Sequence, residues 1–272
     1  MLNISIVLFK TSYNSISNIL NILSKQPKLN KIYLVDNSPD IDVSYKNLAS
    51  NIQYIFNNKN IGYGAAHNIA IKESFKENIK YHLVMNSDLN FDLNTINHLI
   101  HMMESDSELG LAMPKVLNID GSVQVLPKLL PSPFNLIIRV ISPIGFFFNS
   151  MNKKYTLDGY DQLQLNVPII SGCFSLFRVS ALEQIGLYDE NFFMYFEDFD
   201  ISRRMHKEYK TIYCPNVSII HAHERGAAKS FKLFRVFISS AFNYFNKYGW
   251  FFDKERSKIN SDVIGQLEKQ TK

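Results

Sequence analysis

Four short apolar runs alternate with amphipathic stretches in the first third of the chain, and this alternation restricts the fold more than any other feature. The runs are ISIVLF (4–9), KIYLVD (31–36), NIQYIFN (51–57) and YHLVMNSD (81–88), each read as a buried strand. SISNILNILSKQ carries Ile16, Ile19, Leu20 and Leu23 at helical spacing. GAAHNIAIKESFK (64–76) and NTINHLIHMMES (94–105) read as two further helices. Strand-helix-strand order predicts a mostly parallel sheet with helices on both faces. Ligands in such sheets bind beyond the C-terminal strand ends. Asp36 and Asp88, each closing a strand, therefore fall on the ligand side.

The 272 residues, 46% of them hydrophobic, suffice for a large core. With 29 basic and 25 acidic residues the charge is too balanced for a nucleic-acid partner, although a mildly basic aromatic chain suits an anionic surface. Cys173 and Cys214 form no Cys-x-x-Cys and read as reduced structural thiols of a cytoplasmic protein. MLNISIVLFK lacks a basic region ahead of its apolar residues and reads as a first strand rather than a signal peptide. The most apolar segment, 129–150, is interrupted by Pro131, Pro133, Arg139 and Pro143, which argues against a spanning helix.

Residues 111–165 lose the periodicity and read as an insertion or connection. Regularity returns with VPIISG and CFSLFR as strands, SALEQIG as a short helix, EDFDISRRMHKEY as a helix, and TIYCPNVSIIHAH as one or two strands. The tail from Ala227 reads as helical, basic and aromatic. Expected boundaries are a domain over 1–225, with a donor-binding half to about 110 and an acceptor half after it, and an extension over 226–272.

Asn86 and Asp88, two apart on an extended chain, point the same way and offer hard oxygen donors suited to Mg²⁺ or Mn²⁺. Taken alone, Asp88 reads more readily as a turn or capping acid. Gly62 and Gly64 permit close backbone approach at a helix start, where a phosphate could sit. His221 ends a strand with His223 alongside; each suits a metal or proton-transfer role, or a satisfied surface histidine. In NFFMYFEDFD, Glu197, Asp198 and Asp200 suit the positive end of a helix dipole. The preceding aromatic run of Phe192, Phe193, Tyr195 and Phe196 predicts a wall that raises the basicity of one of them.

Together these segments resemble the inverting family-2 glycosyltransferases of GT-A fold, in the bacterial rhamnosyltransferase branch that builds surface polysaccharides. SIVLFKT, YLVDNSPD, NKNIGYGAAHNIAI and VMNSD resemble the branch's motifs in order, and residues 171–223 resemble it nearly end to end. The resemblance implies an α/β, GT-A, Rossmann-like sheet with a helical C-terminal extension. It implies that Asp36 binds the donor base, and that Asn60, Gly62, Asn68 and Asn86 lie along the donor. Asp88 and His221 would hold a divalent metal (Mn²⁺ or Mg²⁺), and Asp198 would be the catalytic base, with Glu197 and Tyr195 supporting it. The family's Asp-x-Asp is Asn86-Ser87-Asp88 here, leaving one carboxylate.

The implied reaction moves a sugar, L-rhamnose from dTDP-L-rhamnose, onto a glycan or polyprenyl-diphosphate-linked acceptor in O-antigen or capsule synthesis. A UDP-hexose is the alternative donor. A sugar nucleotidyltransferase would need a glycine-rich loop where KTSYNS stands, and a non-catalytic module would not need Asp88, Asp198 and His221 intact. Segments 229–258 and 129–150 are the expected contacts with an anionic membrane surface on the inner face of the cell membrane, or, for the tail, a helix packed on the domain. A homo-oligomer stays open.

Overall fold

The computed structural model describes residues 1–46, 48–124, 126–141, 146–222 and 230–270. The first third alternates as the spacing predicts: β1 (Leu2–Leu8), α1 (Tyr13–Leu23), β2 (Leu29–Asp36), β3 (Ile52–Phe56), α2 (Tyr63–Lys76) and β4 (Tyr81–Met85). A short β5 (Leu89–Phe91), α3 (Leu93–Ser105) and β6 (Leu109–Leu117) follow. The remainder runs α4 (Pro133–Ile141), α5 (Phe146–Thr156), β7 (Leu165–Asn166), β8 (Phe174–Arg178), α6 (Val179–Ile185), α7 (Glu197–Glu208) and β9 (Lys210–His221). Two helices close the chain, α8 (Phe231–Tyr248) and α9 (Lys254–Gln270).

One sheet is built in the order β3-β2-β1-β4-β8-β6-β9-β5, with β7 paired to β9. Strands β3, β2, β1 and β4 are mutually parallel, so their C-terminal ends share one rim. Strand β8 runs antiparallel between β4 and β6, which brings its N-terminal end to that rim. The two-residue period of β2 sorts its side chains between the faces. Ile32 and Leu34 join α1 in the main core, whereas Tyr33 and Val35 pack against Ala66 and Ala70 of α2.

Residues 109–117 depart from the expected loss of regularity: they form β6, a central strand. Gly110 and Pro114 hide its pattern, and the register shifts beside each, where a glycine or proline is tolerated in a strand. Segment 129–150 contributes α4 and the start of α5, with 142–145 outside the described residues. VPIISG is not a strand; it bridges through Ile169 to Lys128 and leads into the site. Among the described residues no helix is long and apolar enough to cross a membrane.

Helix α2 is seated by a buried hydrogen-bonded chain. Ser5 Oγ lies 2.6 Å from His67 Nδ1 and 2.8 Å from His82 Nε2, and Ser74 Oγ lies 2.7 Å from His82 Nδ1. Burial pushes both imidazoles down, His82 to about 3, so both are neutral. The C-terminal helices share the cores of the preceding chain. Val263 and Leu267 of α9 join the main core, and Tyr244 and Phe245 of α8 pack with Phe192 and Phe196.

Candidate active site

The rim begins at Asp36. Its carboxylate, 2% exposed, accepts from the Ser38 backbone N–H (2.8 Å) and from the Tyr54 hydroxyl (2.6 Å). Beside it Asn37 orders the following loop: its amide donates to Asn60 Oδ1 (3.3 Å) and to the Gly62 carbonyl (3.1 Å). Asn60, itself exposed, accepts from the Gly62 N–H. Gly62 has φ +95°, and a Cβ there would lie 2.4 Å from the Phe193 carbonyl oxygen. The glycine is therefore required by the backbone of the aromatic segment, which also accepts from the Tyr63 N–H at 2.9 Å.

Asn68 does not meet the expectation that it lies along the donor. It is 1% exposed, donates to the Tyr188 carbonyl and Glu190, and accepts from the Tyr188 N–H. A side chain so engaged fixes the turn ahead of the aromatic segment.

Asn86 and Asp88 face the same way, as their spacing predicts, and His221 meets them, as the family resemblance implies. His221 Nε2 lies 3.2 Å from Asn86 Nδ2 and 3.4 Å from Asp88 Oδ1. Strand pairing causes this, since Leu89 of β5 is registered opposite His221 of β9. Asp88 is not a capping acid; Asp92 caps α3 by accepting from the Asn94 N–H. His221 is 5% exposed, not a surface histidine; His223 lies outside the described residues. Burial opposes its charge, but the Asp88 carboxylate and the Cys173 thiol outweigh burial and hold its pKa up to about 9. Asp88 is half exposed and faces solvent at the rim.

Asp198 stands at the start of α7. Its carboxylate accepts from the Gly172 N–H (3.3 Å) and the Phe199 N–H (3.0 Å). Burial raises its pKa above the ordinary 3.8, against the pull of Lys128 and of those N–H groups. The expected raised basicity is present, but its cause differs. Phe192 and Phe196 turn away from Asp198 to pack on Tyr244 and Phe245 of α8, and Tyr195 meets Phe237 edge on at 5.8 Å. What adjoins Asp198 is Gly172, whose position for a Cβ lies 3.6 Å from the Asp198 Cβ, with Tyr63 at 3.2 Å. The Asp198 charge helps raise the phenols of Tyr63 and Tyr188, after burial.

Glu197 and Asp200 are also more than dipole acids. Asp200 is fully buried and accepts from Arg204 Nε (2.9 Å), Tyr248 Oη (2.7 Å) and Lys247 Nζ (2.6 Å). Glu197 is 6% exposed with one unpartnered oxygen, and burial together with the adjacent Asp198 pushes its pKa well above 4.5. Below 4.5 the carboxyl is protonated in folded and unfolded chains alike, and its stabilising contribution is fully present. As pH rises toward the folded pKa only the unfolded chain ionises freely, and that contribution is lost. Glu197→Gln is therefore expected to melt above wild type by a margin that widens with pH. A margin constant across pH would contradict the assignment.

Two residues that the sequence pattern does not disclose complete the site. Tyr63 Oη lies 2.8 Å from both Asn86 Oδ1 and the Gly172 carbonyl, linking the Asn86–Asp88–His221 cluster to the segment that holds Asp198. Lys128, 8% exposed with its ammonium 5.7 Å from the Phe199 ring centroid, reaches the acid from the region read as a connection. The GYGAAHN segment signals a helix start but not that Tyr63 points back at β4.

For a divalent metal the donor set is one carboxylate, Asp88, one imidazole, His221, and the adjacent Asn86 amide. Among the described residues no three His, Cys, Asp or Glu side chains gather as a full metal cluster. The convergence of an exposed carboxylate and an imidazole at the rim fits a cation that takes its other ligands from a bound diphosphate and water.

The chain is similar to known proteins in sequence and in fold. The model of Glycosyl transferase family 2 matches residues 6–186. A low-salt glycan biosynthesis hexosyltransferase, Agl10, of Haloferax volcanii is 28% identical over 77% of this chain and 64% of its own length. An N-acetylglucosaminyl-diphospho-decaprenol L-rhamnosyltransferase of Mycobacterium tuberculosis is 27% identical over 65% of this chain and 61% of its own. The chain thus spans less than two thirds of either relative. In structure, S. aureus TarS (residues 1–349) in complex with UDP superposes with TM-score 0.57 at 14% identity, covering 97% of this chain and 70% of that one. GalNAc-T7 with UDP, GalNAc and Mn²⁺ superposes with TM-score 0.57 at 13% identity, covering 81% and 42%.

Proposed function

Because the chain belongs to glycosyl transferase family 2 and has the GT-A fold, we propose that it is an inverting, metal-dependent glycosyltransferase with Asp198 as its base. The donor in this reading is dTDP-L-rhamnose and the acceptor a glycan or polyprenyl-diphosphate-linked saccharide of a bacterial surface polysaccharide, made at the inner face of the membrane. The observation that carries it is the half-buried Asp198 carboxyl, raised in basicity and joined through Gly172 and Tyr63 to the Asn86–Asp88–His221 cluster. The rhamnosyltransferase and hexosyltransferase relatives support the class of reaction.

Asp36 and Asn60 would bind the donor from the β2 side of the rim, with Gly62 shaping the loop between Asn60 and α2. Asp198 takes the proton of an acceptor hydroxyl as that oxygen bonds to the anomeric carbon. The bond from that carbon to the phosphate oxygen breaks on the opposite face, and the nucleoside diphosphate leaves with the electron pair. A divalent cation held by Asp88 and His221 would supply Lewis-acid neutralisation of charge on the departing diphosphate. The Gly172 and Phe199 N–H groups orient the Asp198 carboxylate toward the acceptor side and keep it from rotating away.

Titration calorimetry with a panel of nucleotide sugars, with and without Mn²⁺, tests this reading. Tightest binding of dTDP-L-rhamnose in the presence of metal is expected; preference for a UDP-hexose would change the donor assignment. Asp88→Ala is expected to weaken metal-dependent donor binding by at least about tenfold, the scale that even outer-shell partners of a metal reach. Equal donor binding with and without metal would remove the metal role.

A further inference from the structure

We propose that the outward face of α8 is a docking surface for an anionic lipid bilayer, with Phe231, Phe234, Ile238 and Phe242 as the side chains that enter the lipid. Their spacing of three, four and four places them along one side of the helix. They are 77%, 47%, 39% and 53% exposed. The helix does not need them for its seat. Its other side already buries Ala241, Tyr244 and Phe245 against Phe192 and Phe196. The apolar surface also continues past the helix end. Phe242 meets Trp250 edge on at 4.8 Å, and the next residues, Phe251 and Phe252, are 78% and 97% exposed. Helix α4, which sets Leu136 into the same aromatic cluster, likewise exposes Phe134 and Ile137.

Charge selects the occupant. Residues 231–248 contain no acidic residue, and the cations beside the stripe are the exposed Lys232 and Arg235; Lys247 instead pairs inward with Asp189 and Asp200. A face of aromatics bordered by cations alone complements phosphate headgroups over acyl chains. A helix of this composition lies on a bilayer without crossing it, consistent with the lack of any spanning helix among the described residues.

The surface is tied to the candidate site. On its inward side Ser240 donates to the Met194 carbonyl (2.8 Å), Asn243 to the Asn191 carbonyl (3.0 Å) and Tyr248 to Asp200 (2.7 Å). Those partners flank Asp198, so a bilayer under α8 would hold the base near the membrane surface. This consequence rests on the lipid-linked acceptor proposed above; the docking surface does not.

Sedimentation of the full chain with phosphatidylcholine vesicles, with and without phosphatidylglycerol, tests the proposal without donor or acceptor. Binding to the anionic vesicles at low salt is expected, with loss at high salt. The exposed double variant Phe231→Ser/Phe234→Ser is expected to bind at least about tenfold more weakly while melting as wild type does. Lys232→Glu/Arg235→Glu is expected to remove the preference for phosphatidylglycerol. Absent binding of the wild type, or equal binding by the serine variant, would overturn the proposal. So would concentration-dependent self-association, abolished by the serine variant, in a chain that ignores vesicles; the stripe would then be an interface between copies. Vesicle binding with no transfer to a lipid-linked acceptor would instead count against the acceptor assignment alone.

Discussion

Asp198→Asn is expected to lower the rate of sugar transfer by about 10²- to 10⁴-fold, the range that a positioned general base contributes. Donor binding is expected to survive, because Asp198 contributes to the acceptor side and the substitution preserves shape. The fall therefore belongs in kcat, with little change in the dissociation constant of the donor. The pH profile carries the same information with a definite sign. A base must be deprotonated, so kcat/KM of the wild type rises with pH through the pKa of Asp198, which burial has raised above the ordinary carboxylate value. Asn cannot titrate, so that ascending limb is expected to disappear from the residual activity of the variant. Activity close to wild type, or an unchanged limb, would take the role away from Asp198.

Asp253→Ala is expected to destabilise the protein by about 3 kcal/mol, because it removes the buried one of the two carboxylates on the Arg203 guanidinium and leaves only the more exposed Glu255. Arg203, 2% exposed, donates to both oxygens of Asp253 at 2.7 and 2.8 Å, with Asp253 3% exposed. Its guanidinium also lies 4.0 Å from the Tyr248 ring centroid. The exposed pair Lys28–Glu104 offers the contrast: its removal is expected to cost less than about 1 kcal/mol. Because Arg203 lies on α7 and Asp253 just past α8, the loss would also loosen the helix that holds the aromatic segment. Denaturant unfolding measures the difference. A change in Asp253→Ala no larger than that of the surface pair would contradict the structural role given to the C-terminal helices.

Much of the arrangement is legible in the chain because it is local. Alternation of period two with period 3.6 locates β1 to β4 and α1 to α3, though not the short β5, and parallel pairing then puts Asp36 and the Asn86–Asp88 strand end on one rim. The Asn86–Ser87–Asp88 spacing and a strand-end histidine are equally local signals, and β5–β9 pairing joins them. What is not legible depends on partners far along the chain. The aromatic run of 192–196 looks like a wall for the neighbouring acids, but its partner is α8, some forty residues on. Asn68 looks like part of a ligand loop, yet its amide is matched to Tyr188, 120 residues away. Lys128 sits in a stretch with no periodic pattern and reaches Asp198 only because 128 bridges to 169 in the folded chain. Strand β6 is obscured by its own Gly110 and Pro114, whose irregularities the sheet absorbs as register shifts.

A single displacement driven by one base at Asp198 inverts the anomeric centre, and the anomeric configuration of the product is its direct record. Transfer from dTDP-L-rhamnose to an acceptor saccharide, followed by proton NMR of the new linkage, reads it. A linkage of configuration opposite to that of the donor is expected, formed with one nucleoside diphosphate released per bond. A retained configuration would exclude a single displacement from the face opposite the diphosphate, and it would contradict the role given to Asp198.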